Sequence, residues 1–434
     1  MRGWCIRNDF ESQDVGPSCV QGNFRLEVTV RSIVLVLLML YSFAVPWEYS
    51  LELGDSLGNI ARVVGLLLLM ATVSMAVVRS GMRPPGWLQW LTLGLYIYFV
   101  ASYFWTVDPA ATLEKMRSYF QVMMVVWIAW DVVDSPVELR GVLRAVVAGC
   151  WVLAALTMLN FVSADVAAAQ QVRFMAEGFD PNDVARFLDL GFPLAALLFA
   201  TEEQWAVRLA AILYVPAGLL AVLLTASRGG FSGAMAALLG SAVLLLTWRP
   251  KSAAAVFAGL AVTASTLWAF VPGDSLQRLA TIPQEVGGGD LNDRLGIWSA
   301  GWRAFVQSPW WGYGAGSYAA AAKLAPGDTA HNTVIALMVM GGVAGLAIFV
   351  GIVVAAALAV WRTEGLLRIA LGSVLVVWAL TSMVGSVEEN RVTWLLFALM
   401  AVAGRLAVAR RYAMEEVFSG LERVSVATQV EAVR

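Results

Sequence analysis

Apolar runs of about twenty residues recur along almost the whole chain, with charged residues, Gly or Pro between them. A helix that crosses a bilayer needs about 20 mostly apolar residues. Only 14% of the 434 residues are charged, against about 25% in a typical soluble domain, which excludes an ordinary water-soluble enzyme. The runs therefore predict an all-α polytopic membrane protein with about twelve transmembrane helices. The predicted spans are 27–46, 62–78, 87–106, 117–133, 145–164, 184–200, 208–226, 231–248, 252–272, 332–361, 367–386 and 393–409.

Positive charges in the short loops predict the orientation, because Lys and Arg are enriched in cytoplasmic loops. With twelve spans both termini lie on one side, and that side carries most of the loop bases. Those bases are Arg2, Arg7 and Arg25 before the first span, then Arg79, Arg83, Arg140, Arg144, Arg249, Lys251, Arg362, Arg368, Arg410 and Arg411. We predict a cytoplasmic tail 1–26, helices one to nine in 27–272, a large outer loop 273–331, helices ten to twelve in 332–409, and a cytoplasmic tail 410–434.

Composition also limits the partners and cofactors. The net charge of -2 provides no basic field for nucleic acid. The three cysteines have a spacing that indicates neither a disulfide framework nor a zinc site. Carboxylate oxygens could hold a divalent metal, but the candidates form no tight motif, so we expect no metal. Those candidates are Asp180, Asp183, Asp290 and Asp293.

The sequence has one histidine, His331, where the large outer loop enters the tenth predicted span. A helix N-terminus is electropositive and disfavours a cation. Nearby arginines would add to this effect, so we expect His331 to be neutral and able to act as a base. The alternative is a histidine that only caps or packs at the helix start.

Several arginines lie on the predicted outer side, where a loop excess of positive charge is not expected. Arg173 and Arg186 flank a polar stretch, and Arg228 lies in a tight break between two spans. Guanidinium groups bind phosphate oxygens in bidentate fashion, so these residues are candidates for holding a lipid-linked diphosphate. The alternative is that they reach to the headgroup region, which we expect for Arg303 and Arg391.

The outer loop 273–331 contains two patterned segments. Residues 293–308 predict an amphipathic helix, since Leu295, Trp298, Trp302 and Phe305 recur at helical spacing. Residues 309–318 are rich in glycine, which predicts a turn where the backbone comes close to a neighbouring segment. The tryptophans of this loop are more typical of an interfacial belt, although Trp298 is near enough to the proposed site to contact a sugar.

Five short sequences follow one another between residues 179 and 332. They are Phe179-Asp180-Pro181-Asn182-Asp183, Thr225-Ala226-Ser227-Arg228-Gly229-Gly230, Asp293-Arg294-Leu295-Gly296-Ile297-Trp298, Trp311-Gly312-Tyr313-Gly314-Ala315-Gly316 and Ala330-His331-Asn332. In this order, and with their shared outer position, they resemble the O-antigen ligase and polymerase superfamily of bacterial polysaccharide assembly.

The resemblance implies a glycosyltransferase of the C-type fold in the bacterial inner membrane, with its active site facing the periplasm. Such an enzyme moves glycan from undecaprenyl diphosphate to an acceptor hydroxyl and needs no nucleotide sugar or other cofactor. Carried onto this sequence, His331 would activate the acceptor, and Arg173, Arg228 and Arg294 would hold the diphosphate, with Arg186 as a substitute for Arg173. The possible supporting residues are Asp180, Asn182, Asn332 and Trp298.

The short motifs leave the acceptor open. A ligase would pass the glycan to lipid A-core, and a polymerase to a second carrier-linked repeat. About twelve spans and one dominant outer loop favour the ligase. A transporter of polysaccharide lipid and a non-catalytic assembly protein also fit a chain of this kind. Twelve spans are common in transporters, although the ionisable groups of transporters tend to lie near the midplane.

Overall fold

The computed structural model describes residues 17–54, 58–164, 173–286, 289 and 293–432. Within these ranges the chain is helical, and its extended pairing is limited to an isolated bridge between Glu52 and Asn59. The predicted all-α class is therefore confirmed. The first nine α-helices are α1 (Pro17–Ala44), α2 (Ile60–Val78), α3 (Trp87–Ala101), α4 (Pro109–Val132), α5 (Pro136–Ser163), α6 (Pro181–Thr201), α7 (Trp205–Leu224), α8 (Arg228–Trp248) and α9 (Pro250–Trp268).

Four short helices and three long ones complete the described chain. They are α10 (Gly273–Ala280), α11 (Ile282–Val286), α12 (Arg294–Gln307), α13 (Tyr318–Ala322), α14 (Thr333–Arg362), α15 (Gly365–Ser382) and α16 (Arg391–Ala432). Helix α12 confirms the helix predicted over 293–308, and the short helices show that the predicted outer loop is partly helical.

Nine helices of the described residues are long and apolar enough to cross a membrane. The chain is thus a multi-pass membrane protein. The qualifying segments are Glu27–Ser50, Ile60–Val78, Pro136–Ser163, Pro181–Thr201, Trp205–Leu224, Arg228–Trp248, Thr333–Arg362, Gly365–Ser382 and Arg391–Ala413.

The other three predicted spans are also helical, but they are too short or too polar to qualify as membrane-crossing helices. The count of twelve spans therefore stays a prediction. Helix α3 has 15 residues and ends in a 3-10 turn, Ser102–Phe104. Helix α4 has 24 residues but carries charges, among them Glu114, Lys115 and Arg117. The apolar part of α9 is confined to Ala253–Thr263.

Two helices extend into the segments predicted as tails. Helix α1 begins at Pro17, inside the predicted tail 1–26. Helix α16 runs to Ala432 and so occupies most of the predicted tail 410–434. The sequence after Arg411 has four Glu and three Ala and no Pro, so helical propensity continues the helix beyond the apolar part.

Ion pairs gather Arg83, one of the bases predicted to be cytoplasmic, with other charged residues at one end of the bundle. Arg31 on α1 donates to Glu138 at the start of α5 (2.7 Å), and Arg83 donates to Asp134. Arg405 on α16 lies 3.6 Å from the same Asp134. Because α5 leads from this end to the opposite one, α6 begins at the opposite end of the bundle.

Helix α6 lies at the centre of the bundle, packed by α5, α7, α8 and α15. Small residues permit this contact: a Cβ at Gly230 of α8 would clash with Ala185 of α6, and a Cβ at Gly191 would clash with Tyr214 of α7. The close packing fixes the first turn of α6 against the first turn of α8, and both turns belong to the site described below.

The glycine-rich turn predicted over 309–318 packs against a break in α14. Gly342 has a left-handed backbone (φ 60°), which interrupts the helix. The carbonyl groups exposed by this break bind the loop. The N–H of Tyr313 donates to the carbonyl of Val339 (2.9 Å), and the N–H of Gly314 donates to the carbonyl of Met340 (2.9 Å). A Cβ at Gly312 would clash with Met340. This confirms the predicted close backbone approach.

Candidate functional site

Four helices begin at the same end of the bundle, and their first residues carry the polar groups of the site. Asp180 caps α6 by accepting from the N–H of Asn182 (2.7 Å), and Ser227 caps α8 by accepting from the N–H of Gly230 (3.1 Å). Helix α12 begins at Arg294 and α14 follows Asn332. Each N-terminus contributes partial positive charge, so the helix dipoles favour an anion here.

Asn182 joins three segments that are distant in sequence. Its Oδ1 accepts from Nη2 of Arg173 (3.0 Å) and from the hydroxyl of Ser227 (2.8 Å). Arg173 also donates from Nε to the carbonyl of Thr225 (3.1 Å). The structure thus brings Arg173 to the corner between α7 and α8, as the predicted cluster requires.

The corner itself is a strained turn. Ala226 has a left-handed backbone (φ 48°) and is fully buried, a conformation that costs free energy for a residue with a Cβ. Arg228 follows as the first residue of α8, and its Nε donates to the carbonyl of Arg278 (3.3 Å). The turn directs the chain so that Arg228 lies at the helix start, beside helix α10.

The positive charges of neighbouring arginines act on Arg173 and on Arg294 at this site. The pKa of Arg173 is lowered by burial and by the positive charges of Arg278, Arg294 and Arg228. The pKa of Arg294 is lowered by burial and by Arg228, while Asp180 opposes both shifts. The structure therefore brings together the three predicted diphosphate ligands and adds Arg278, which belongs to none of the short sequence motifs.

His331 lies at the entrance to α14 with a left-handed backbone (φ 47°). Its ring is half-buried, and its Nδ1 lies 3.4 Å from the hydroxyl of Thr329. The pKa of His331 is lowered by burial and, next, by the positive charge of Arg294. The lowered pKa supports the neutral state predicted from the sequence, with burial rather than neighbouring charge as its main cause.

His331 lines a cavity of about 850 Å³ that opens between the helix ends. Asp180, Asn182 and Asp183 at the start of α6 form one wall, and residues of α4, including Lys115, lie on another. A smaller cleft lined by Asn182, Arg294 and Gly230 adjoins it, since Asn182 and Val384 line both. Of the three predicted diphosphate ligands, Arg294 lines this cleft, so the histidine and Arg294 lie at adjoining spaces.

Arg186 is engaged by carboxylates of its own helix. It is only 5% exposed inside α6 and donates to Asp183. Its charge also acts on Asp189, a fully buried carboxylate one turn further along the helix. Although Arg186 lines the small cleft, these carboxylates engage it, so Arg173 is the better candidate for an anion ligand.

Asn332 and Trp298 hold the histidine in place. Asn332 caps α14 by accepting from the N–H of Ile335 (3.1 Å) and donates to the carbonyl of Met383 (3.0 Å). Trp298 donates from Nε1 to the carbonyl of Ala330 (2.9 Å). Both side chains therefore hold the segment on either side of His331.

The expectation for Arg391 was wrong, because its guanidinium does not reach for headgroups. It donates to Glu48 (2.5 Å) and to Gln121 (2.8 Å), and Glu48 is 2% exposed. This ion pair joins α16 to the 3-10 helix after α1, and Arg391 lines the cavity of His331. Arg303 is exposed and donates only weakly to Ser299 (3.3 Å), in keeping with the expectation.

The described residues contain no group of three or more His, Cys, Asp or Glu that could hold a metal ion. Of the four carboxylates considered from the sequence, Asp290 lies outside the described residues. Asp293 is exposed at the start of α12. Asp180 and Asp183 are engaged with the helix cap and with Arg186, respectively.

Fold and site together define a multi-pass membrane protein with an arginine-rich site beside a cavity at one end of its helix bundle. Residues 210–350 match the family model Wzy_C, O-Antigen ligase, so this part of the chain is similar to that family and supports an O-antigen ligase superfamily assignment. The match includes Arg228, Arg278, Arg294 and His331, whereas Arg173 precedes it. No curated protein matches the chain significantly. Members of this family are ligases or polymerases of glycosyltransferase type, which supports an enzyme role in polysaccharide assembly.

Proposed function

We propose that this protein is an O-antigen ligase-like glycosyltransferase of the bacterial inner membrane, with a fold of the C type. It transfers glycan from undecaprenyl diphosphate to an acceptor hydroxyl, and its active site faces the periplasm. The observation that carries the proposal is the position of His331 near Arg294, where the cavity of His331 adjoins a cleft lined by Arg294. One base and one anion site are the two groups that this reaction needs.

The arginine cluster forms the donor side of the site, the part that binds the diphosphate of the glycan donor. Arg173, Arg228 and Arg294 surround the starts of α6, α8 and α12, where helix dipoles also favour negative charge. Planar guanidinium groups hold phosphate oxygens in bidentate fashion. The negative charge that grows on the diphosphate as it leaves is stabilised by groups already in place.

His331 forms the acceptor side of the site, where the hydroxyl that receives the glycan binds. We assign the role of base to Nε2, because the hydroxyl of Thr329 lies at Nδ1. The acceptor oxygen gives its proton to Nε2 and forms a bond to the anomeric carbon of the donor glycan. The bond from that carbon to the diphosphate oxygen breaks, and the diphosphate takes the electron pair. The products are the extended acceptor and undecaprenyl diphosphate, and the histidine returns its proton to water.

The acceptor enters through the cavity of His331, whose walls are polar and mixed in charge. Lipid A-core is the acceptor that we propose, as in a ligase. A second carrier-linked repeat, as in a polymerase, is the alternative. Both acceptors present a sugar hydroxyl, so the site chemistry is the same for both and the test must separate them.

Purified protein is incubated with carrier-linked glycan and either lipid A-core or a second carrier-linked repeat, and the products are separated by size. Transfer to lipid A-core is expected, and extension of the carrier-linked chain would instead assign a polymerase. His331→Ala should reduce transfer by about 10²–10⁴-fold at unchanged protein level. Normal transfer in that variant would exclude His331 as the base. Movement of glycan lipid across vesicles without any transfer would assign a transporter.

A further inference from the structure

Helix α10 carries Arg278, an arginine outside the sequence motifs, and brings it to the donor side of the site. The helix packs against α7 and α8. Leu279 joins Leu223 and Val271 in a small apolar cluster, and Ser275 is fully buried, so one face of α10 is held against the bundle. Arg278 precedes Leu279 in the last turn, and its side chain is half-buried.

Arg278 is in direct contact with the donor site. Its carbonyl oxygen accepts from Nε of Arg228 (3.3 Å). Its own Nε is buried and finds no hydrogen-bond partner among the described residues. A buried donor without a partner costs about 1–3 kcal/mol, and a phosphate oxygen would satisfy it.

The positive charge of Arg278 also acts on Arg173, another residue of the proposed diphosphate site. Of the charges that act on Arg173, that of Arg278 is the largest, ahead of Asp180, Arg294 and Arg228. The positive charges of Arg278, Arg294 and Arg228 thus act on Arg173 against the carboxylate of Asp180, and a concentration of positive charge favours a bound anion. Bound diphosphate would lower the repulsion among the guanidinium groups.

We infer that Arg278 is a further ligand of the diphosphate, held in place by the apolar face of helix α10. This inference rests on the proposed function, since it takes the donor to be a lipid-linked diphosphate. It adds that α10 forms one side of the donor site. Leu279, the residue after Arg278, belongs to the buried apolar cluster with Leu223 and Val271, so this cluster fixes where α10 lies.

The test measures binding to the purified full-length protein of two probes, undecaprenyl diphosphate and inorganic pyrophosphate. Arg278→Gln should raise the Kd for both by at least about tenfold, because a charge-assisted hydrogen bond is lost. Arg278→Lys should lie between wild type and Arg278→Gln, since it keeps the charge but not the planar fork. The lipid-linked probe should bind more tightly than pyrophosphate in every variant.

Arg303→Gln is the matched control, because Arg303 is an exposed arginine on the same outer segment. It should leave both Kd values unchanged. A purely structural role for Arg278 would lower the thermal unfolding midpoint of the ligand-free protein and leave the salt dependence of binding as in wild type. We expect the reverse, with an unchanged midpoint and a weaker salt dependence, since one ionic contact is gone.

The outcomes separate this inference from the proposed function. If Arg278→Gln and Arg278→Lys bind both probes as wild type does while Arg228→Gln binds them weakly, the inference is overturned and the donor site stands. If only pyrophosphate binding weakens, Arg278 belongs to a different anion site and the inference is also overturned. If wild type binds neither probe, the proposed function fails together with the inference.

Discussion

The indole of Trp298 donates a hydrogen bond of 2.9 Å to the carbonyl oxygen of Ala330, the residue directly before His331. His331 itself has a left-handed backbone (φ 47°), which is uncommon for a residue with a side chain. An unfavourable conformation persists only where the surroundings hold it. Trp298 on α12 and the cap Asn332 on α14 therefore hold the histidine from both sides.

Trp298→Phe should lower kcat/KM for glycan transfer by about tenfold, because a hydrogen bond worth about 0.5–1.5 kcal/mol no longer orients the histidine segment. Rates are compared at equal amounts of folded protein. Trp302→Phe is the control, since Trp302 lies on the same helix and is 57% exposed. Equal rates for the two variants would show that the bond does not position His331.

The rate of transfer should stay constant as the pH drops to about 6.5, the ordinary pKa of histidine, and fall only at lower pH. Burial and the charge of Arg294 lower the pKa of His331, so the neutral base persists below that value and is lost only as the pH falls through the lowered pKa. The measurement is the single-turnover rate at saturating donor from about pH 5 to pH 8. Glu388 is the other group that could cause a pH dependence, because burial raises the pKa of its carboxyl group to about 7. A midpoint near 7 that disappears in Glu388→Gln would assign the pH dependence to that carboxyl group.

Arg228→Lys should reduce transfer by about 10²–10³-fold, the usual cost of removing one group that stabilises developing negative charge. Lysine keeps the charge but cannot make the bidentate contact, so the loss tests geometry rather than charge. The measurement is kcat with carrier-linked glycan, and Arg303→Lys should leave it unchanged. Wild-type activity in Arg228→Lys would mean that Arg228 only reaches the headgroup region.

Arg186→Met should destabilise the protein by about 1.5–3 kcal/mol, because Asp183 loses the buried guanidinium that donates to it. Adding Asp183→Asn to Arg186→Met should restore part of the loss, as measured by thermal unfolding in detergent. A double variant as unstable as Arg186→Met would mean that the two charges do not interact.

Local signals predicted much of the fold. Long apolar runs predicted the spanning helices, and Asp180 followed by Pro181 marks where α6 begins, because a cap and an N1 proline are recognisable in a few residues. The failures are also local in origin. Helix α5 begins at Pro136, nine residues before the predicted span at 145, because hydropathy reports the apolar part and not the capped start.

Part of the site could be predicted because its residues lie at interruptions between apolar runs. His331 is the one histidine of the sequence, and Arg228 occupies a break too short to carry it far from the membrane. Arg278 lay in a loop without a motif, so only the packing of α10 on α7 and α8 revealed it. The partner of Arg391 was equally hidden, since Glu48 is 343 residues away in the sequence.

The order of residues along the chain is enough to specify a helical membrane protein whose polar groups occur at particular helix ends. A bilayer imposes this, because backbone groups in an apolar medium must be paired within each helix. Which helix ends meet is a property of the folded bundle. The shared bond acceptor Asn182, the broken turn at Gly342 and the approach of Arg278 to Arg228 depend on contacts between helices, and such contacts arise from packing that no single segment encodes.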